Sequence, residues 1–331
     1  MKDKPRSKQI FIEDSVNRML AKEATPYPRD YFRASELGYC PRALYYARTG
    51  ETPRSLEWGD WVRFRRGDHM HNFVQDDLFA RFFVLDGVEG DFASIDGAGE
   101  DGITTFDTYI ERAKERANKM EGFEWVSHEL RPSTREGQEG TNNIQVRFIW
   151  KGTPLGVRFR PDGIIVGLKH PEEGDIMWPI EEHDLLEVKS MAGFSISKTG
   201  KDAKRNAATF GHRPAQVIQM ITTAFFLGLD NIQPYLTGND NPTQVISDKP
   251  QKKYGERPAW DWDRIPCDME FVEVILDRMR DIELAIQAGE PPAFGCTGSK
   301  KEWAFMSCQW NTREVNGTKS TPMCGGIAGG S

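Results

Sequence analysis

Asp184-Leu185-Leu186-Glu187-Val188-Lys189-Ser190 is the stretch on which the fold reading turns. Its apolar residues suit a buried strand, yet Glu187 and Lys189, two apart, leave the same face while Val188 points into the core. A buried charge without a partner is costly, so a strand of this kind ends at a site. Upstream, Pro161-Asp162 falls on the neighbouring strand of the same expected sheet, where Asp162 can reach that face.

Two carboxylates and one ammonium then converge. Adjacent acidic oxygens repel each other and are stable together with a cation between them, and a hard Mg2+ or Mn2+ ion is the natural occupant. The lysine would hold or activate the attacking water and balance phosphate charge. That is apparatus for hydrolysing a phosphodiester.

Working outward, strands are expected over Glu124–Leu130, Ile144–Trp150 and Leu155–Val166, the last two joined as a hairpin by Lys151-Gly-Thr-Pro154, and over Ile232–Leu236. Helices are expected over 9–23, 58–83, 106–121, 213–229 and 268–288, the last with an apolar packing face. The Gly/Asp-rich 86–102, the 168–182 segment and 237–263 read as loops. No internal repeat appears. Three divisions follow: 1–121, an N-terminal helical region; 122–236, the core; and 237–331, a helix with a Cys-containing tail.

The 331 residues carry 43 Lys+Arg against 50 Asp+Glu, a net charge of -7, which argues against a tail-driven polycation but not against an enzyme whose centre needs carboxylates. The charged N-terminus does not read as a signal peptide, and no apolar run approaches a membrane span, so a cytoplasmic protein is expected, with no membrane partner. Five cysteines do not suggest an extracellular disulfide framework; metal or cluster ligation is the better joint role.

Asp162, the Glu187-Val188-Lys189 strand and the helix that follows resemble the PD-(D/E)xK nuclease superfamily, and within it the RecB-like phage exonucleases and the CRISPR-associated iron-sulfur nucleases. Arg66-Gly67-Asp-His-Met-His71 is similar to the family's Gly-x-x-x-His helix, and Gln216-Val-Ile-Gln219 through Gly228 to its glutamine helix. Ser35-Glu-Leu-Gly-Tyr-Cys40-Pro-Arg resembles the N-terminal cysteine segment of the iron-sulfur members. The resemblance implies a restriction-endonuclease-like α/β fold: a mixed sheet flanked by helices, with an N-terminal helical arm and the Cys-containing tail. It implies metal ligation by His71, Asp162, Glu187 and the Val188 carbonyl, water positioning by Lys189, and Gln219 orienting the lysine or substrate, with Gln216 as the alternative. It also implies a [4Fe-4S] cluster on Cys40, Cys296, Cys308 and Cys324. Zinc in the same thiolates, or no metal, remains open from the residues themselves. Cys267 reads as core.

The activity implied is metal-dependent DNA exonuclease, in phage recombination or DNA degradation and beside phage, host or CRISPR proteins. An endonuclease trimming DNA in CRISPR adaptation is the rival enzyme, and a non-catalytic DNA-binding module of the same fold is the rival from another class. Local basic density supplies candidate DNA contacts: Arg63, Arg65 and Arg66 before His71, and Lys198, Lys201, Lys204 and Arg205 after the Glu187 strand.

Overall fold

The structure is a computed structural model that describes residues 28–51, 62, 65–67, 69, 91–93, 106–132, 142–166, 183–191, 214–238, 265–293, 314–315 and 318–319. Its strands are β1 (Phe32–Arg33), β2 (Asp91–Ala93), β3 (Phe123–Pro132), β4 (Asn142–Trp150), β5 (Thr153–Phe159), β6 (Gly163–Val166), β7 (His183–Met191), β8 (Asn231–Gly238), β9 (Ile265–Pro266), β10 (Glu314–Val315) and β11 (Thr318–Lys319). Its helices are α1 (Pro41–Thr49), α2 (Phe106–Ala117), α3 (Pro214–Phe226) and α4 (Met269–Ala288), with a 3-10 turn at Ala34–Glu36. The protein is mixed α/β. One sheet runs β1-β5-β4-β3, a second runs β2-β6-β7-β8-β9, and β10-β11 is a small hairpin. The described part of the expected helix over 58–83 is helical, at 62, 65–67 and 69.

The single strand expected over Leu155–Val166 is divided between two sheets. Pro161 has no N–H to give a ladder, so β5 stops at Phe159 and the chain re-enters pairing only at Gly163. Asp162, expected on a strand, lies in the bend between them. The hairpin before it forms as expected: Lys151 and Gly152 have φ of 45° and 79°, the positive pair of a type I′ turn whose twist matches the flanking strands. Lys151 then reaches Asp277 of α4 at 2.9 Å, and the Trp150 indole donates to the same carboxylate at 2.8 Å.

Alternation sets the layers. Ile144, Val146, Phe148 and Trp150 of β4 and Leu155, Val157 and Phe159 of β5 are buried on one face. Phe225 and Phe226 of α3 pack there, with Phe226 5.2 Å from the Phe148 ring and Phe225 5.8 Å from that of Phe123. Each such pair contributes about 0.5–1.5 kcal/mol beyond the area it buries. In the second sheet, β7 is buried on both faces from Asp184 to Val188, the pattern of a strand covered from both sides. Asp184 is compensated by the Gln233 amide at 3.0 Å. β7 and β8 are parallel, and α3 is the crossover that parallel neighbours require.

The chain forms two units, each discontinuous in sequence. The larger comprises 31–38 and 67–280; the smaller comprises 1–30, 39–66 and 281–331. Both boundaries read from the sequence, after 121 and after 236, fall inside the larger unit. In the smaller unit Ala43, Tyr45 and Tyr46 of α1 form a buried cluster against which Cys40, Ala285 and Ile286 pack. Arg48 and Glu283 pair there at 2.7 Å, and Arg42 donates to the Pro292 carbonyl at 2.8 Å.

Candidate active site

The β6–β7 ladder ends with Gly163 opposite Leu186. One step further the ladder has no regular partner, and the Asp162 side chain takes its place: its Oδ2 accepts the Val188 N–H at 2.7 Å. The bend at Pro161 therefore fixes a carboxylate at the residue between Glu187 and Lys189. Asp162 is half-buried, whereas Glu187 is 1% exposed.

A carboxylate that deeply buried is stable only with donors around it. Lys189 supplies an ammonium to Glu187 Oε1, and Gln219 Nε2 donates to the same oxygen at 2.7 Å. Lys189 Nζ in turn donates to Gln219 Oε1 at 3.1 Å. Glu187, Lys189 and Gln219 thus close a ring in which each member holds the other two. The amide orientation follows from this: nitrogen toward the carboxylate, oxygen toward the ammonium.

Gln219 is delivered by a helix fixed at both ends. Near its start, a Cβ on Gly38 would lie 2.2 Å from the Ala215 Cα, so no larger residue fits against α3. After its end, Gly228 has φ of +65° and approaches α2 so closely that a Cβ would meet the Ala113 nitrogen at 2.6 Å. Arg116 of α2 donates to the Leu229 carbonyl at 2.8 Å and to Gly228 at 3.2 Å, holding the turn that follows the helix, while the N–H groups of Leu227, Gly228 and Leu229 return to carbonyls of its last turn. The Leu-Gly sequence after the glutamine helix has here a steric cause.

Asp162, Glu187, Lys189 and Gln219 are brought together within the larger unit, with Val188 at their centre. Val188 takes part through its N–H, a contact that the strand pattern could not reveal because it depends on where the neighbouring strand breaks. Arg65 and Arg66 are exposed helical residues of the smaller unit, and Cys40 is half-buried before the first turn of α1. His71, Cys296, Cys308, Cys324, Arg63, Lys198, Lys201, Lys204 and Arg205 lie outside the described residues. Cys267 sits before α4, and burial pushes its thiol up to about 11, as for an inert core cysteine.

Among the described residues, Asp162 and Glu187 offer carboxylate oxygens of the kind a hard divalent cation takes, one bonded to the Val188 N–H and the other on the residue before it. Among the described residues no three His, Cys, Asp or Glu side chains are grouped to hold a metal ion. Also among them, no helix is long and apolar enough to cross a membrane. The chain matches no protein-family model, no curated protein and no solved structure.

Proposed function

We propose that this chain is a metal-dependent deoxyribonuclease of the PD-(D/E)xK type, with a restriction-endonuclease-like core, acting as an exonuclease on DNA in the cytoplasm. The observation that supports it is the ring that Lys189 and Gln219 close around buried Glu187, beside an Asp162 carboxylate anchored on Val188 N–H. A purely structural ion pair does not need a second carboxylate bonded to the residue between its two members.

In this reading Asp162 and Glu187, with His71 and the Val188 carbonyl, would hold Mg2+ or Mn2+, whose contribution would be Lewis acidity toward a phosphate oxygen and a water. Lys189 positions the attacking water and offsets phosphate charge. Gln219 keeps Lys189 and Glu187 in register, so the ammonium is oriented before substrate arrives. Proton transfer falls to water in contact with Lys189, since Glu187 is excluded from solvent.

The cluster reading is supported by Cys40 packing beside Ala285 and Ile286 and by Arg42 bonding Pro292, which bring the chain leading to Cys296 next to the segment bearing Cys40. Four thiolates there would take a [4Fe-4S] cluster or zinc. The test of the activity is purified protein with Mn2+ on linear, nicked-circular and closed-circular DNA. Loss of linear DNA alone is expected. Cutting of closed circles would make it an endonuclease, and intact DNA throughout would overturn the enzyme reading. A recombination or degradation pathway in a phage or its host is the setting proposed.

A further inference from the structure

Among the described residues, the face of the four-stranded sheet opposite the Phe225–Phe226 packing carries mostly charged and polar side chains, with Gln145 buried among them. Register places Arg33 beside Arg158, Arg158 beside Gln145, Gln145 beside Glu129, Arg147 beside Ser127, and Arg131 beside Asn143, and paired residues share a face. Glu124, Ile149, Pro154 and Gly156 also share it, and Ile149 is the one large aliphatic side chain at these paired positions. Arg33 and Arg131 are exposed, and Arg147 and Arg158 are half-buried. A chain with a formal charge of -7 therefore sets four arginines against two glutamates on one sheet face. Arg160 adjoins it, two residues before Asp162.

We infer that this arginine face carries the DNA strand toward the site, binding phosphates across β3, β4 and β5 and handing them to Asp162 through Arg160. The inference rests on the nuclease reading and names a contact surface additional to the loop and helix cations. Three observations argue for it. All the cations are arginines, whose planar fork suits phosphate. Arg158 is held in place rather than free to wander: it donates to Gln145 Oε1 at 2.6 and 3.1 Å and lies 3.9 Å over the Tyr31 ring. Two ion pairs on the face, Arg131–Glu129 at 2.8 Å and Arg33–Glu36 at 3.5 Å, involve exposed arginines and yield readily to a polyanion.

Continuity decides for DNA over another acidic partner. Alternate residues on a strand are about 6.8 Å apart, so from Arg158 to Asp162 the chain covers at most about 13 Å. A polyanion lying on Arg147 and Arg158 thus runs directly into the carboxylate bend, where only a phosphodiester has chemistry to undergo.

The experiment measures binding of a fluorescently labelled DNA duplex, and of its single strand, by anisotropy across a salt series in EDTA. The Arg131→Ala/Arg147→Ala protein is expected to bind at least about tenfold more weakly, with the slope of log K against log salt reduced by about one per arginine. Arg131→Lys/Arg147→Lys should keep most of the slope. An unchanged slope in the alanine protein overturns the inference. Should that protein fail to fold, Arg131→Ala alone, at an exposed strand end, decides by the same slope. Displacement by poly-glutamate as effective as by DNA would make the face an acidic-protein surface and overturn it as well. The two readings fail separately: DNA degraded by a chain whose alanine variant keeps its slope sinks only the face, whereas arginine-dependent binding without turnover sinks only the nuclease.

Discussion

Gly38 lies so close to Ala215 that a Cβ added to it would fall 2.2 Å from the Ala215 Cα. The contact is with backbone, which cannot swing aside as a side chain could. It sets where α3 starts, and hence where Gln219, one turn further on, meets Glu187. Gly38→Ala should cost about 1–3 kcal/mol of stability, as overpacking does elsewhere. It should also lower kcat under saturating DNA, because Gln219 would be displaced from a 2.7 Å bond. A thermal melt and a turnover assay check this; a variant with wild-type melting and turnover would show that α3 is not set by this contact.

Lys189 serves both the charge balance of Glu187 and the proposed chemistry, and the two roles separate by mutation. Lys189→Ala should lose turnover by about a thousandfold. It should also destabilise the protein by about 3 kcal/mol, since it leaves a carboxylate 1% exposed without its cation. Adding Glu187→Gln to Lys189→Ala should restore much of the melting temperature and none of the turnover. Activity retained in Lys189→Ala would refute the role given to the lysine.

Much of the site could be read from alternation along one strand. The apolar run of Asp184–Ser190 made β7 legible, and Glu187 and Lys189 lie on it as a period of two demands. The α3 helix was legible too, though its end is tertiary: the expected 229 becomes 226 because Gly228 must pass against α2. What local pattern could not disclose is what depends on partners distant in sequence. β1 and β9 have two residues each and β2 has three, lengths that exist only because Val157, Ile232 and Ile165 offer them ladders. The break at Pro161 and the capture of Val188 N–H by Asp162 are of the same kind, since proline announces a stop but not which sheet the chain enters next.

Arg48 and Glu283 offer a test in the smaller unit. The guanidinium is 6% exposed, and burial lowers its pKa below the ordinary arginine value while Glu283 at 2.7 Å opposes that shift. Glu283→Ala should cost about 3–5 kcal/mol, because the cation stays buried with its counter-ion gone. Glu283→Gln, which keeps an acceptor, should cost less. Hydrogen exchange at the α1 amides from Ala43 to Arg48 reads the effect directly, and protection equal to wild type in Glu283→Ala would mean that the pair does not hold α1.

His183 precedes Glu187 by four residues on β7, two periods of alternation, and its Nδ1 lies 2.8 Å from the hydroxyl of buried Tyr109. In the Nε2–H tautomer of the neutral ring Nδ1 accepts a hydrogen bond from the Tyr109 hydroxyl; in the protonated ring Nδ1–H donates and the hydroxyl must accept. Burial lowers the His183 pKa from 6.5, Arg112 lowers it further, and Asp184 opposes them. The unfolded chain consequently binds the proton more readily than the folded one. Stability must then rise with pH through this window, being fully present above about 6.5 and falling as pH drops toward the folded value. Urea unfolding at about pH 7.5 and about pH 5.5 should show a smaller acid loss for His183→Gln than for the wild type, the difference isolating this ring from the other five histidines. Equal losses in the two proteins would mean that the proton enters the folded ring as easily as the unfolded one, and that burial and Arg112 do not hold it neutral.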